Sequence, residues 1–202
     1  MRNRSENQVD LYFIRHGATP GNEEHRYIGR TDEGLSETGK KLLQQKASEM
    51  TMTPDLVLSS PMLRCRQSAQ ILFPDHTPVE ITEWKEMDFG AFEGKNYKEL
   101  NGNPDYQAWI DSGGTKAFPG GESREDFIKR CRDGMELAIK CIRQLPWKSE
   151  LKVAAVVHGG TIMAILSSLW GGDYFSYQVK NGEGYHCRMK LLGDEVTLFK
   201  IP

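Results

Sequence analysis

Two short apolar runs in this chain each end at a histidine that is followed by glycine. Residues 11–14 run directly into Arg15 and His16, and residues 153–157 run into His158. Apolar runs of this length, bounded by glycine and polar residues, predict buried strands. Open α/β sheets bind their ligands at the carboxyl ends of such strands. The two strand ends therefore predict one anion-binding site at the carboxyl edge of a sheet.

Length and composition favour one ordinary globular domain. The chain has 202 residues, of which 38% are hydrophobic and 27% charged, and its formal net charge is −2. We expect a single domain spanning residues 1–202, with an insertion at about 84–121. The net charge gives no reason to expect nucleic acid or an anionic membrane as a partner. Any binding of a charged ligand must therefore come from local clustering of side chains.

The four cysteines contain no C-x-x-C pair, which argues against a zinc or thioredoxin-type motif. The first ten residues are polar, and no apolar run approaches the roughly 20 residues that a membrane span needs. We therefore expect a cytoplasmic protein with reduced, packing cysteines and no membrane partner. Cys65 has a second interpretation, because Arg64 and Arg66 flank it and could lower its thiol pKa. No base adjoins it in sequence, so the packing role is preferred.

Helical and strand patterns alternate along the chain. Expected strands cover residues 11–14, 55–60, 79–82 and 153–157, and a terminal hairpin pairs 185–192 with 196–201 through a turn at Gly193 and Asp194. Expected helices run from Ser36 or Thr38 to about Met50, from a Ser59-Ser60-Pro61 cap to about Phe73, from Ser123 to about Gln144, and over 161–169. This order predicts an α/β fold: a three-layer α/β/α sandwich with a mostly parallel sheet and a C-terminal antiparallel hairpin.

Residues 84–121 differ in character, because they are rich in aromatic residues and glycine. Short helices are expected around 96–100 and 105–111. The segment is too short for a core of its own. We therefore expect it to form an inserted helical lid over the edge of the sheet.

The strand ends supply the groups that a metal-free phosphoryl transfer needs. His16 is a candidate nucleophile, and Arg15 and Arg64 carry planar guanidinium groups that suit phosphate oxygens. Glu86, after the third strand, is a carboxyl group that could protonate an alcohol leaving group. His158 completes a ring of donors. Together these residues predict a phosphoryl-transfer site.

Six blocks of this sequence, in order, resemble the histidine phosphatase superfamily, also called the phosphoglycerate mutase-like family. They are residues 11–22, 27–39, 59–69, 86–94, 119–123 and 157–160. The resemblance implies a covalent phosphohistidine on His16 and a small phosphorylated metabolite as substrate, with neither a metal nor another cofactor. The residues that match the family's site are Arg15, Arg64 and His158 for the phosphate pocket, Glu86 as proton donor, and Asn22, Gly29 and Gly159 for substrate binding.

Some of these assignments have rivals in the sequence. Arg66 could take the role given to Arg64, although family spacing favours Arg64. Glu83 and Glu93 compete with Glu86, whose Glu-x-Asp-Phe-Gly context is closer to the family pattern. His25 lies in a loop that should border the site.

The branch of the family is a separate question. Mutases of the family carry an Arg-Arg pair in a longer insert, whereas the cations between Glu86 and His158 here are scattered, among them Lys95, Lys98, Lys116 and Arg124. Residues 97–109 and 119–123 look like the α-ribazole phosphatase branch, whose enzymes dephosphorylate a nucleotide precursor of cobalamin. Aromatic residues of the lid, such as Tyr97, Tyr106 and Trp109, would suit a flat base. The alternatives are a phosphoglycerate mutase and a phosphate-binding regulatory module without turnover.

Overall fold

Six strands form the sheet that positions the candidate residues. The computed structural model of the chain describes residues 7–146, 148, 150–192 and 195–201. The strands are β1 (Asn7–Arg15), β2 (Leu56–Ser59), β3 (Val79–Glu80), β4 (Leu151–Val157), β5 (Gly184–Leu192) and β6 (Glu195–Lys200). Their order in the sheet is β3-β2-β4-β1-β5-β6.

The sheet is mostly parallel, as predicted. β3, β2, β4 and β1 pair in parallel, whereas β5 and β6 are antiparallel. β1 and β2 are consecutive in the chain, but β4 lies between them. The carboxyl ends of β1 and β4 are therefore neighbours. The turn predicted at Gly193 and Asp194 lies outside the described residues.

Helices cover both faces of the sheet, which confirms the three-layer α/β/α arrangement. They are α1 (Pro20–Glu23), α2 (Glu37–Glu49), α3 (Leu63–Leu72), α4 (Pro104–Asp111), α5 (Arg124–Arg143) and α6 (Gly159–Trp170). Val153, Ala155 and Val157 of β4 pack in one core with α5 and α6, whereas Ala154 and Val156 pack in the other with α2 and α3. This alternation follows from the two-residue repeat of a strand. Within the described residues, no helix combines the length and the apolar character that crossing a lipid bilayer would require.

The start of α3 differs from the prediction. The predicted cap used Ser59, Ser60 and Pro61, but the helix begins at Leu63 and its N-cap residue, Met62, makes no capping bond with its side chain. The serine hydroxyls are engaged elsewhere. Ser60 Oγ lies 2.8 Å from His158 Nε2, and Ser59 Oγ donates to the Ser60 carbonyl at 2.8 Å. The two serine hydroxyls that were expected to cap α3 therefore form other hydrogen bonds, and that of Ser60 lies against His158.

Residues 84–121 are joined to the main core. Phe92, Leu100 and Phe118 are buried in the same core as the sheet, and Phe89 and Trp109 pack against it. The helix predicted around 96–100 is a turn, because Asn96 Oδ1 accepts from the backbone N–H groups of the second and third residues after it, at 3.0 and 3.1 Å. The second predicted helix is present as α4.

Candidate active site

The carboxyl ends of β1 and β4 bring two histidines together. Arg15 is in register with Val157, and the backbone N–H of His16 donates to the Val157 carbonyl at 2.9 Å. The rings of His16 and His158 meet edge to face with their centroids 5.2 Å apart. Residues that are 142 positions apart in the chain therefore share one site.

His16 is held in a state that suits a nucleophile. The ring is buried, and its Nδ1 lies 2.7 Å from the Gly17 carbonyl. A carbonyl oxygen can only accept, so Nδ1 carries the proton and Nε2 keeps its lone pair. Burial, together with the charges of Arg64 and Arg15, holds the pKa of His16 well below its usual value. The imidazole is therefore neutral at neutral pH.

Arg64 is a buried cation beside the histidines. It is 1% exposed and donates to the backbone carbonyls of Thr31, Gly29 and Ile28 at 2.9, 3.0 and 3.3 Å. Among the described residues, no carboxylate lies within 4.0 Å of it. A buried charge that only neutral groups solvate attracts an anion strongly.

Arg64 and Ser60 fix the ring of His158, and the Cys65 Sγ atom lies 3.5 Å from its Nε2. Its Nδ1 accepts from Arg64 Nε at 3.2 Å, so the ring proton is on Nε2, which donates to Ser60 Oγ at 2.8 Å. Burial and the nearby charge of Arg64 lower the pKa of His158 well below its usual value. In this arrangement His158 orients the guanidinium group. Its direct contact with phosphate stays a prediction.

Arg15 contributes a second guanidinium group to the same place. Its Nη1 donates to the Val179 carbonyl at 2.7 Å, while its buried Nε has no acceptor among the described residues. Gly159 explains how the side chain fits, because a Cβ at that position would lie only 3.3 Å from Arg15 Nε. A buried donor of this kind is available to an anionic ligand. Arg15 and Gly159 thus form one wall of the anion site.

Glu86 lies across from the histidines. Its two oxygens accept from the backbone N–H groups of Met87 at 2.9 Å and of Gly160 at 3.3 Å. A Cβ on Gly160 would overlap the carboxyl group, so a glycine is needed for this approach. Burial raises the pKa of Glu86 above its usual value, although the two N–H bonds and the charges of Arg64 and Arg15 oppose the shift. A raised pKa suits a group that must hold a proton to donate.

The rival residues lie away from this constellation. Glu93 Oε1 accepts from the backbone N–H groups of Gly29 and Thr31 at 2.7 and 2.9 Å. Neither Glu93 nor Glu83 lines the cavity that contains Arg15, His16 and Glu86. Arg66 has a side chain that is 51% exposed, and it meets Glu80 at 4.0 Å. His25 is also exposed and does not line the cavity. Geometry therefore favours Arg64 and Glu86 over these alternatives.

The two predicted loop residues separate in the structure. Asn22 lines the cavity, and its Oδ1 accepts from Asn181 Nδ2 at 3.1 Å, which leaves its own Nδ2 as the group that can reach a ligand. Gly29 does not line that cavity, and its backbone N–H donates to Glu93 Oε1. A Cβ at Gly29 would overlap the Met87 carbonyl. Gly29 therefore permits close packing of the loop, and its contact with substrate stays a prediction.

A cavity of about 290 Å³ is lined by His16 and by residues of the inserted segment, whereas His158 lies behind its wall. Its lining divides by chemistry: Arg15, His16, Glu86, Gly159 and Gly160 contribute polar groups, whereas Phe89, Trp109, Phe118, Tyr174 and Phe175 contribute aromatic rings, with Arg124 beside the last two. Such a division suits a substrate with a phosphate at one end and an apolar, flat group at the other.

Only part of the expected aromatic wall faces this cavity. Trp109 lines it, whereas Tyr97 is 54% exposed and Tyr106 packs against Tyr27 and Phe92. Tyr97 and Tyr106 therefore do not line the cavity in which the other candidate residues lie. The other aromatic residues that line the cavity are Phe89, Phe118, Tyr174 and Phe175. Tyr174 and Phe175 follow α6, outside the segment that the sequence predicts to form the lid.

Arg124 is the most consequential residue that the sequence did not place. It was grouped with scattered cations, but it lines the cavity, where its guanidinium carbon lies 4.8 Å from the Tyr174 ring centroid and 5.0 Å from that of Phe175. Its Nη2 donates to the Gly113 carbonyl at 2.5 Å. Contact of a cation with ring faces keeps the group in place without a carboxylate partner. The aromatic part of the cavity lining therefore includes a positive charge.

Two alternative chemistries find little support in the described residues. Burial raises the pKa of the Cys65 thiol, so the flanking arginines do not make it a reactive thiolate. No group of three or more His, Cys, Asp or Glu side chains in the described part of the chain is arranged to hold a metal ion. Metal independence itself stays a prediction.

Comparison with known proteins extends this picture. A family model described as the histidine phosphatase superfamily (branch 1) matches residues 11–191. A Bacillus subtilis protein named as an uncharacterized phosphatase, PhoE, is 30% identical over 164 residues, which cover 80% of this chain and 77% of that protein. The glucosyl-3-phosphoglycerate phosphatase of Mycolicibacterium vanbaalenii is 29% identical over 192 residues, which cover 91% and 84%. The crystal structure of the α-ribazole phosphatase from Shigella flexneri has a TM-score of 0.78 and 22% identity, with 95% of each chain covered. That likeness is one of fold.

Proposed function

Because the chain belongs to the histidine phosphatase superfamily, we propose that it is a metal-independent phosphomonoesterase that acts through a phosphohistidine on His16. The observation that carries the proposal is the fixed, neutral imidazole of His16 beside Arg64, a buried cation that has no carboxylate partner among the described residues. A nucleophile and an anion site are thereby adjacent. Comparable phosphatases among the relatives support the same reaction class.

The proposed reaction has two steps. His16 Nε2 donates its lone pair to phosphorus, the P–O ester bond breaks, and its electron pair stays on the leaving oxygen, which takes the proton from Glu86. Water then attacks the phosphohistidine, Glu86 accepts a proton from that water, and the P–N bond breaks to release phosphate and restore the imidazole. Arg15 and Arg64 stabilise the charge on the phosphoryl oxygens throughout.

We propose a small phosphorylated metabolite with a flat leaving group as substrate, and α-ribazole 5′-phosphate is the leading candidate. This choice is supported by the aromatic part of the cavity lining, which includes Phe89, Trp109 and Phe118. The second candidate is a phosphoglycerate mutase, which Arg124 favours, because a mutase must hold the carboxylate of its substrate. Turnover of a generic aryl phosphate would exclude a non-catalytic phosphate-binding module.

The substrate prediction compares the two reactions on purified protein. We expect α-ribazole 5′-phosphate to be hydrolysed with a higher kcat/KM than that for conversion of 3-phosphoglycerate to 2-phosphoglycerate. Trp109→Ala should lower kcat/KM for the former by about two- to tenfold, as expected for the loss of one stacking contact. A higher specificity constant for the isomerisation, lost on Arg124→Gln, would establish the mutase instead.

The metal prediction uses chelation. We expect dialysis against EDTA to leave phosphatase activity unchanged, because guanidinium and imidazole groups already neutralise the phosphate. Initial rates before and after dialysis, with and without added Mg²⁺ or Zn²⁺, measure this. Loss of activity that a divalent ion restores would contradict the proposed mechanism.

The pH prediction follows from the two shifted groups. Activity is lost as pH falls through the pKa of His16, which lies below 6.5, because a protonated ring cannot attack. Activity is also lost as pH rises through the pKa of Glu86, which lies above 4.5, because the carboxylate has no proton to donate. We expect a bell-shaped profile of kcat/KM, with an acid limb set by the lowered pKa of His16 and an alkaline limb set by the raised pKa of Glu86. Glu86→Gln should flatten the alkaline limb, and an unchanged limb would assign it to another group.

A further inference from the structure

The side chain of Glu86 lies between two cavities. One is the substrate cavity, and the other, of about 720 Å³, is lined by Glu86 together with residues that include Lys85, Asp88, Glu122 and Arg130. Close packing normally fixes a buried side chain. Open space on two sides means that polar contacts must hold the segment that carries Glu86.

Arg130 of α5 supplies such contacts. Its Nη1 donates to the carbonyls of Glu83 and Lys85 at 2.8 and 2.9 Å, and its Nη2 reaches the Glu86 carbonyl at 3.4 Å. One guanidinium group therefore binds three backbone carbonyls within four consecutive residues. Such an array restrains the direction in which the Glu86 side chain leaves the backbone.

Glu122 in turn fixes Arg130. The two form a bidentate ion pair, with Nε to Oε1 at 3.0 Å and Nη2 to Oε2 at 2.7 Å. The backbone of Glu122 also donates to the Asp88 carbonyl at 2.9 Å, and Oε2 accepts from the Asp88 N–H at 3.4 Å. The pair is thus hydrogen-bonded to the residues before Glu86 through Arg130, and to Asp88, after Glu86, through Glu122.

We propose that the Arg130–Glu122 pair positions the carboxyl group of Glu86 against the leaving oxygen of the substrate. The proposal rests on the proposed role of Glu86 as the acid. Neither Arg130 nor Glu122 lines the substrate cavity, so both act through Glu86 and neither is a catalytic residue. Their contribution extends to both steps in which Glu86 moves a proton, and kcat/KM isolates the first of them because it reports only the steps up to formation of the phosphohistidine.

Leaving-group dependence tests this inference. Arg130→Met keeps the length of the side chain but removes its donors. We expect its kcat/KM on benzyl phosphate, whose alkoxide needs a proton, to fall about 10- to 100-fold, because small misplacements of a catalytic group have effects of this size. The kcat/KM on 4-nitrophenyl phosphate should change far less, since its leaving oxygen needs little help from a proton, whereas kcat can fall for both substrates because they share the hydrolysis of the phosphohistidine. Added to Glu86→Gln, Arg130→Met should cause little further loss on benzyl phosphate.

Two further variants complete the experiment. Arg132→Met changes an exposed arginine on the same helix and should leave both rates unchanged. Glu122→Gln weakens the grip on Arg130 and should reproduce the Arg130→Met pattern, so the inference is testable even if Arg130→Met fails to fold. Equal losses on both substrates in these variants, beside a Glu86→Gln enzyme that does discriminate, would overturn the inference alone. A Glu86→Gln enzyme that does not discriminate would overturn the acid role and the inference with it.

Discussion

A His16→Ala enzyme is expected to lose turnover by a factor on the order of 10⁴ or more, as enzymes do when the nucleophile is removed. His16 Nε2 carries the free lone pair that faces the anion site, whereas both nitrogens of His158 are engaged by Arg64 and Ser60. The loss should be equal for alkyl and aryl phosphates, because both need the nucleophile. Steady-state rates on 4-nitrophenyl phosphate and benzyl phosphate measure it.

His25→Ala is the matched control for this experiment, because His25 is exposed and does not line the cavity. Its rates should equal those of the unchanged protein. Thermal unfolding of both variants shows whether the fold is kept. Retention of most of the activity by a folded His16→Ala enzyme would rule out the covalent mechanism on this residue.

Glu86→Gln is expected to show the second large effect, and this one depends on the substrate. General acid catalysis contributes about 10²- to 10⁴-fold, so kcat/KM on benzyl phosphate should fall by that factor. The loss on 4-nitrophenyl phosphate should be much smaller, since its leaving oxygen is stabilised without a proton. Glutamine keeps the shape of the side chain, so the change removes the proton and little else.

Glu83→Gln provides the comparison for that result. Glu83 is close in sequence but does not line the cavity, so its replacement should leave both rates unchanged. Equal losses on the two substrates in Glu86→Gln would remove Glu86 from the role of acid. A substrate-dependent loss in Glu83→Gln would transfer the role to Glu83.

The core of the site could be predicted because it depends on strand ends. Short apolar runs identify buried strands, and parallel strands bring their carboxyl ends to one edge of the sheet. His16 and His158 follow two such strands, which turn out to be adjacent and in register. The identity of the residues after each strand was therefore enough to predict that these histidines meet.

Other features depend on contacts between distant segments, which local patterns do not contain. Ser60 is a residue type that often caps helices, but its hydroxyl lies against His158. A capping rule considers only neighbouring residues and therefore cannot predict this contact. In the sequence, Arg124 cannot be distinguished from the other cations. Its role depends on the packing of α5 beside the residues after α6, which places its guanidinium group over the rings of Tyr174 and Phe175. Tyr97 and Trp109 have similar sequence surroundings, yet only Trp109 faces the cavity.

The phosphohistidine itself is the most direct test of the mechanism. Enzyme mixed with ³²P-labelled substrate and quenched within a single turnover should carry label that is stable to base and labile to acid. Peptide mapping under basic conditions should place the label on His16, and His16→Ala should carry none. Label on another residue, or rapid product formation with no covalent label at any quench time, would contradict the account.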